Sequence, residues 1–126
     1  MARLFLHLEY IIVMKKYQLG EFEELVILAI GILNNEAYSV SIKDELESRL
    51  SRTVSMGALH TALKRLEDKG LLKSFAGDAT EERAGRPKRY FEITALGKKA
   101  MQYTKETRDA LWKAIPKTVW EAKLVG

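Results

Sequence analysis

Six stretches of the chain alternate apolar and polar positions regularly enough to name an element. Glu21 to Asn34 holds the nearly unbroken apolar run Leu25 to Leu33. A helix apolar all round is buried on more than one face. Glu21, Glu23 and Glu24 fall in its first turn, where carboxylates suit the positive end of the helix dipole. In Ser41 to Leu50, Ile42, Leu46 and Leu50 recur every four residues as one stripe. Ser41 with Asp44 has the spacing of a capping box. A turn, Ser51 to Val54, leads to a third helix from Ser55 to Lys69, with Ser55 as its N-cap. Leu59, Ala62, Leu63 and Leu66 line its inner face. Gly57, Thr61, Lys64 and Asp68 fall opposite, and His60 and Arg65 at the edges. Gly70 has the position of a left-handed cap.

Leu71 to Phe75 and Arg89 to Thr94 read as strands, the second alternating Tyr90, Glu92 and Thr94 with Phe91, Ile93 and Ala95. Residues 77–88 between them are rich in glycine, proline and charge, which predicts an exposed hairpin loop. From Thr94 a last helix runs to Ile115, before Pro116. Leu96, Ala100, Thr104, Thr107, Leu111 and Ile115 follow a 3-4 spacing along one face, and a further short turn is expected around Trp120. The fold class is therefore mostly α with a small β-hairpin: a winged helix-turn-helix followed by a long C-terminal helix.

Composition narrows the chemistry. The 126 residues are enough for one core, with 47% apolar and 30% charged residues, as in a water-soluble globular chain. There is no cysteine, which excludes disulfides and thiolate metal sites and fits a reducing cytoplasm. The net charge of +4 leans towards a polyanionic partner. Leu4 to Met14 is apolar but too short to span a bilayer, which needs roughly 20 residues. Glu9 interrupts it, so it makes a poor signal peptide. It reads either as an extra N-terminal helix or strand, or as sequence upstream of a start at Met14.

Helix, short turn, helix, strand, basic loop and strand, in that order, make a helix-turn-helix with a wing. The second helix of such a pair fits the major groove, about 12 Å wide, with its outer side chains on base edges. The wing reaches phosphates or the minor groove. The candidate DNA-binding residues are Ser55, Gly57, His60, Thr61, Lys64 and Arg65 on the helix and Arg86, Lys88 and Arg89 in the wing. A glycine at position 57 permits close approach to the DNA backbone, and Pro87 limits the entropy lost when the wing docks.

Three blocks carry a resemblance to a known family. Residues 54–71, VSMGALHTALKRLEDKGL, resemble the recognition-helix signature of PadR-type transcriptional regulators. Residues 85–97, GRPKRYFEITALG, resemble their wing and the start of their last helix, and residues 19–30, LGEFEELVILAI, their first helix. The resemblance implies a winged-helix homodimer that dimerises through its last helix and represses transcription from palindromic operators. A single C-terminal helix matches the short subgroup. The family usually has tyrosine where this chain has His60. The domain division expected is an N-terminal extension (1–18), a DNA-binding head (19–95), and a dimerisation helix and tail (96–126). Leu96, Ala100, Thr104, Thr107, Leu111 and Ile115 are the expected dimer seam.

Trp112 and Trp120 have two readings, packing at the dimer seam or C-terminus, and, for Trp112, an aromatic wall of a site for a flat aromatic effector. With two histidines and no cysteine, no metal and no cofactor are expected. No nucleophile elbow or phosphate-cradling glycine loop occurs, and Ser55 and His60 point to different sides of one helix, so no enzyme activity is expected. The alternative function is a winged-helix protein-interaction module without DNA binding. Thr61, Lys64 and Arg65 on the outer face favour double-stranded DNA.

Overall fold

The computed structural model describes residues 7–9, 18–77 and 87–121. Of the expected N-terminal element only residues 7–9 fall within this range, and they are helical. The rest of residues 1–17, the loop containing Arg86 and the last five residues lie outside it.

The order is α1 (Glu21–Leu33), a 3-10 turn (Asn34–Glu36), α2 (Ser39–Leu50), α3 (Met56–Asp68), β1 (Leu72–Ala76), β2 (Arg89–Ile93), α4 (Ala95–Ala114) and α5 (Lys117–Glu121). The strands pair antiparallel, with Leu72 opposite Ile93 and Ala76 opposite Arg89. This is the winged helix-turn-helix that the periodicity predicts, with one long C-terminal helix.

One core ties these elements together. Val26, Ile27 and Ile30 of α1, Ile42 and Leu46 of α2, and Leu59, Leu63 and Leu66 of α3 meet Leu71, Leu72 and Phe91. The stripe read from spacing in α3 is buried throughout, as are Ile42 and Leu46 of the α2 stripe. Removing a fully buried leucine such as Leu59 or Leu66 costs about 2–5 kcal/mol.

α2 starts two residues earlier than its pattern predicts. Ser41 is not the cap residue. Its Oγ accepts from the Tyr38 N–H at 3.0 Å and donates to the Glu36 carbonyl at 2.6 Å, closing the start of the helix from inside its first turn. Ser51 ends α2 in the left-handed region at φ 51°. The Glu47 carboxylate then reaches forward to accept from the Val54 N–H at 2.8 Å, fixing the tight turn into α3.

α3 begins as predicted. Ser55 Oγ accepts from the Ala58 N–H at 3.2 Å. Its end is a Schellman turn: Leu71 N–H donates to Leu66 O, Gly70 N–H donates to Glu67 O, and Gly70 has φ 78°. The buried Leu66 and Leu71 supply the apolar contact of that motif. Thr94 links this turn to α4. Its Oγ1 donates to Gly70 O at 2.6 Å and accepts from the Gly97 N–H at 3.0 Å.

Strict alternation fails in β2, where Tyr90 and Phe91 are both buried. Phe91 faces the core. Tyr90 is covered on the other face by Phe75, stacked at 6.0 Å, and by Tyr38, edge-on at 5.6 Å. A bridge from Tyr38 to Tyr90 and the Phe91 N–H to Ala37 O bond fasten the hairpin root to the residues before α2.

The expected seam along α4 divides in two. Ala100 belongs to the chain's own core, and Leu96 packs against it. The first turns of α4 fold onto β2, so these two positions contribute to the chain's own core. Thr104 is half-buried, its hydroxyl donating to Ala100 O at 2.8 Å. Thr107 and Leu111 are exposed, and Ile115 is half-buried. α1, expected to be covered on several faces, keeps Leu28 and Ile32 exposed.

Candidate nucleic-acid interface

The outer face of α3 is assembled by the burial of its inner one. With Leu59, Ala62, Leu63 and Leu66 in the core, Gly57, Thr61, Lys64 and Asp68 are turned to solvent, as are Ser55, His60 and Arg65. Thr61 donates its hydroxyl to Gly57 O at 3.0 Å, and its side chain remains exposed. Lys64 lies 3.4 Å from Asp68 one turn on, with both side chains more than 60% exposed. Such a surface pair is worth about 0–1 kcal/mol, so a phosphate or base edge can compete for the ammonium.

Gly57 has no structural requirement of its own. A Cβ there would meet only Ser55 Oγ, at an ordinary 3.6 Å. Glycine in a helix costs about 0.5–1 kcal/mol relative to alanine. That cost brings the chain itself no packing, and the backbone at Gly57 is left bare on the solvent face of α3.

Arg65 is set apart from Lys64. It borders, with Thr61, Ala62 and Lys69, an open groove of about 1020 Å³ between α3 and residues 18–23 at the start of α1. In that groove Glu23 is buried and accepts from Lys69 Nζ at 2.9 Å and from the Gly20 N–H at 2.8 Å. Burial pushes the Glu23 carboxyl up, but the Lys69 and Gly20 hydrogen bonds and the charges of Lys69 and Arg65 outweigh it and hold the pKa below the ordinary value.

The wing cations have different surroundings. Arg89 Nε donates to Ser74 Oγ at 3.0 Å, and its guanidinium lies 3.9 Å from Glu67, which also accepts from Ser74. Arg89, a candidate for the DNA, thus also braces the hairpin against α3 through Ser74 and Glu67. Its side chain stays two-thirds exposed. Lys88 turns the other way, its ammonium 4.3 Å from the centre of the Tyr38 ring. Arg86 lies outside the described residues. Tyr38 and Glu67 were not among the sequence candidates. A Tyr-Ser pair opening a helix and a glutamate beside Asp68 carry no local mark of these contacts, which are made across the fold.

A second feature lies away from α3. α1 and α4 enclose a cleft of about 420 Å³ lined by Leu28, Met101 and Trp112, with the Glu24–Arg108 ion pair at 2.8 Å and Lys105–Asp109 at 2.7 Å on its rim. Trp112 stacks on Trp120 of α5 with ring centres 5.7 Å apart. Among the described residues no cluster of histidine and carboxylate side chains could hold a metal ion, and no helix is long and apolar enough to cross a membrane.

No curated protein sequence matches the chain. Solved structures do. A PadR family transcription regulator from Clostridium difficile R20291 is 25% identical with a TM-score of 0.60, over 78% of this chain and 98% of that one. A PadR-like transcription factor from Bacteroides fragilis is 23% identical with a TM-score of 0.61, over 75% and 85%. Bacillus subtilis PadR, solved in complex with operator DNA, is 16% identical with a TM-score of 0.53, over 76% and 49%. The family model described as the transcriptional regulator PadR-like family matches residues 27–103, more than half the chain, from the middle of α1 to the first half of α4. The chain belongs to the PadR-like family of transcriptional regulators.

Proposed function

We propose that this protein is a repressor that binds a palindromic operator as a homodimer, with α3 in the major groove. One observation carries the reading: Gly57, Thr61 and Lys64 share the solvent face of the second helix of a helix-turn-helix, and a cationic wing stands beside it. Ser55, His60 and Arg65 flank that face, within reach of phosphates. The operator complex of Bacillus subtilis PadR supports the same use of this fold. Arg86, Lys88 and Arg89 supply wing contacts, and Arg89 also holds the hairpin.

The homodimer is supported by apolar surface that the chain leaves open. Leu28 and Ile32 are one turn apart on α1, and Leu111 and Trp112 lie on α4, all exposed. Leu28 and Trp112 border the same cleft, so a second copy can cover these positions together. In this reading the head is residues 19–95, and α4 beyond its first turns, with the tail to residue 126, joins the copies. Two-fold pairing sets two α3 helices about 34–36 Å apart, one turn of DNA. The cleft at Trp112 suits a flat aromatic effector that releases the DNA, its apolar walls matching the ligand faces and its ion pairs the polar edges.

The test is binding to duplexes selected from a random library. Wild type enriches an inverted repeat. Thr61→Ala and Lys64→Ala relax preference at defined positions, costing roughly 1–3 kcal/mol on the selected site at unchanged melting temperature. Equal binding to selected and random DNA would remove the specific-regulator reading.

A further inference from the structure

The root of the wing holds one lysine in an unusual setting. Lys88 is fixed at the backbone on both sides. Pro87 precedes it, and its own carbonyl accepts from the Gly77 N–H at 2.7 Å, a rung beyond the end of the β1–β2 ladder. Its side chain then crosses towards α2 and sets the ammonium 4.3 Å from the centre of the Tyr38 ring. That ring is itself fixed. Tyr38 is the residue before α2, its N–H is held by Ser41 Oγ, and Tyr90 packs edge-on against it at 5.6 Å.

The other cations of the region are engaged differently. Lys64 faces Asp68, Lys69 faces Glu23, Lys73 faces Glu92 and Arg89 faces Glu67. Among the described residues Lys88 has an aromatic face where these have carboxylates. The difference matters for an anionic partner. A carboxylate neutralises an ammonium and competes with phosphate for it. A ring holds the cation through its quadrupole, leaves the full charge in place, and leaves the N–H donors pointing away from the ring free to bond. The ring also narrows the rotamers of a flexible side chain before any partner arrives.

We propose that Tyr38 is a positioning residue for DNA binding: it presents Lys88 as an ordered, un-neutralised cation at the junction of α2 and the wing, for one phosphate of the DNA backbone. The inference rests on the DNA-binding reading above and adds to it a residue that need not touch the nucleic acid.

The experiment measures affinity for a short mixed-sequence duplex as a function of salt, since a phosphate contact is independent of sequence. Each phosphate contact adds about 0.9 to the slope of log affinity against log salt. Lys88→Ala lowers the slope by about one unit, so the affinity ratio between 50 and 200 mM salt shrinks about three- to fourfold. Tyr38→Leu gives the same loss, the double variant loses no more than either single one, and Tyr38→Phe, which keeps the ring, restores the wild-type slope. A second measurement separates positioning from folding. The ε-methylene protons of Lys88 in the free protein resonate upfield in wild type and Tyr38→Phe, and return to the ordinary lysine position in Tyr38→Leu.

A full slope in Tyr38→Leu, losses that add in the double variant, or unshifted Lys88 protons in wild type would each overturn the inference while DNA binding stands. A wild type with no salt-dependent affinity for DNA overturns the DNA-binding reading itself, and this inference with it.

Discussion

Glu23, in the first turn of α1, and Lys69, at the end of α3, are joined by an ion pair of 2.9 Å across the groove beside the proposed reading helix. Lys69 also donates to Gln18 O at 3.2 Å, so one ammonium ties the entry of the chain to the end of α3. Glu23 is largely buried there, and Lys69 about two-thirds so. Lys69→Met leaves the carboxylate with Gly20 as its remaining hydrogen-bond donor. The expected loss is about 1–2 kcal/mol, a fall in melting temperature of roughly 4–8 °C per kcal/mol. A melting temperature within a degree of wild type would show the pair to be ornamental.

The same carboxylate gives a pH dependence. The folded state holds Glu23 below its ordinary pKa, so the unfolded chain binds the proton first as acid is added. Its stabilisation is complete above the unfolded value, about 4.3, and is lost as pH falls through the folded one. Melting curves of wild type and Lys69→Met should therefore converge as pH drops from 6 towards 3. A gap that stays constant or widens in acid would contradict this sign.

Gly97 is a packing requirement. A Cβ at this position would lie 2.2 Å from the Leu71 carbonyl oxygen and 2.9 Å from Ile93 Cγ2. Neither the backbone at Leu71 nor the root of the wing can yield without moving α4. Gly97→Ala should cost about 3 kcal/mol or more, against the usual small gain for a helical glycine replaced by alanine. Chemical denaturation reads the difference, and a stabilised variant would mean that α4 sits further from the Leu71 turn than described.

Gly57→Ala should do the opposite. The site is open, and the helix gains up to about 1 kcal/mol from alanine. Affinity for the selected operator should nevertheless fall, because in the proposed complex a methyl would stand where the DNA backbone approaches. Tighter or unchanged binding together with higher stability would remove position 57 from the interface.

Leu111 is 66% exposed in the single chain. In the proposed homodimer Leu111→Lys sets a charge in the seam, and sedimentation should report monomers at micromolar concentration with helix content unchanged. A wild type that sediments as a monomer under the same conditions removes the dimer.

Much of this was legible in sequence because helices and caps are local. The 3-4 spacing of Leu59, Ala62, Leu63 and Leu66 fixes which face of α3 is buried, and therefore that Gly57, Thr61 and Lys64 are outside. Ser55 and Gly70 mark their turns through bonds to residues within a few positions. What spacing does not carry is the partner across the fold. Nothing around Arg89 says that Glu67 waits under it, nor does a run of Ala and Leu after Thr94 say which turn of α4 leaves the core. Leu96 and Ala100 continue the stripe of Leu111, yet the chain's own core takes them up. Ser41 looks like a cap from its neighbours, but Tyr38 already holds the extended geometry before α2, and the serine closes the turn from within.

The stacked indoles at the C-terminal end have a spectroscopic consequence. Trp112 and Trp120 are the two tryptophans of the whole sequence, and both sit, face to face and half open to solvent, where α5 turns back on α4. Intrinsic tryptophan emission from this protein is therefore a local probe. It senses opening of the terminal hairpin, or a molecule settling beside it, and is nearly blind to melting of the head, whose aromatic residues are tyrosine and phenylalanine. Emission and far-ultraviolet ellipticity should then trace separate transitions. Unfolding followed by fluorescence alone would date the parting of the two indoles and not the melting of the helix-turn-helix.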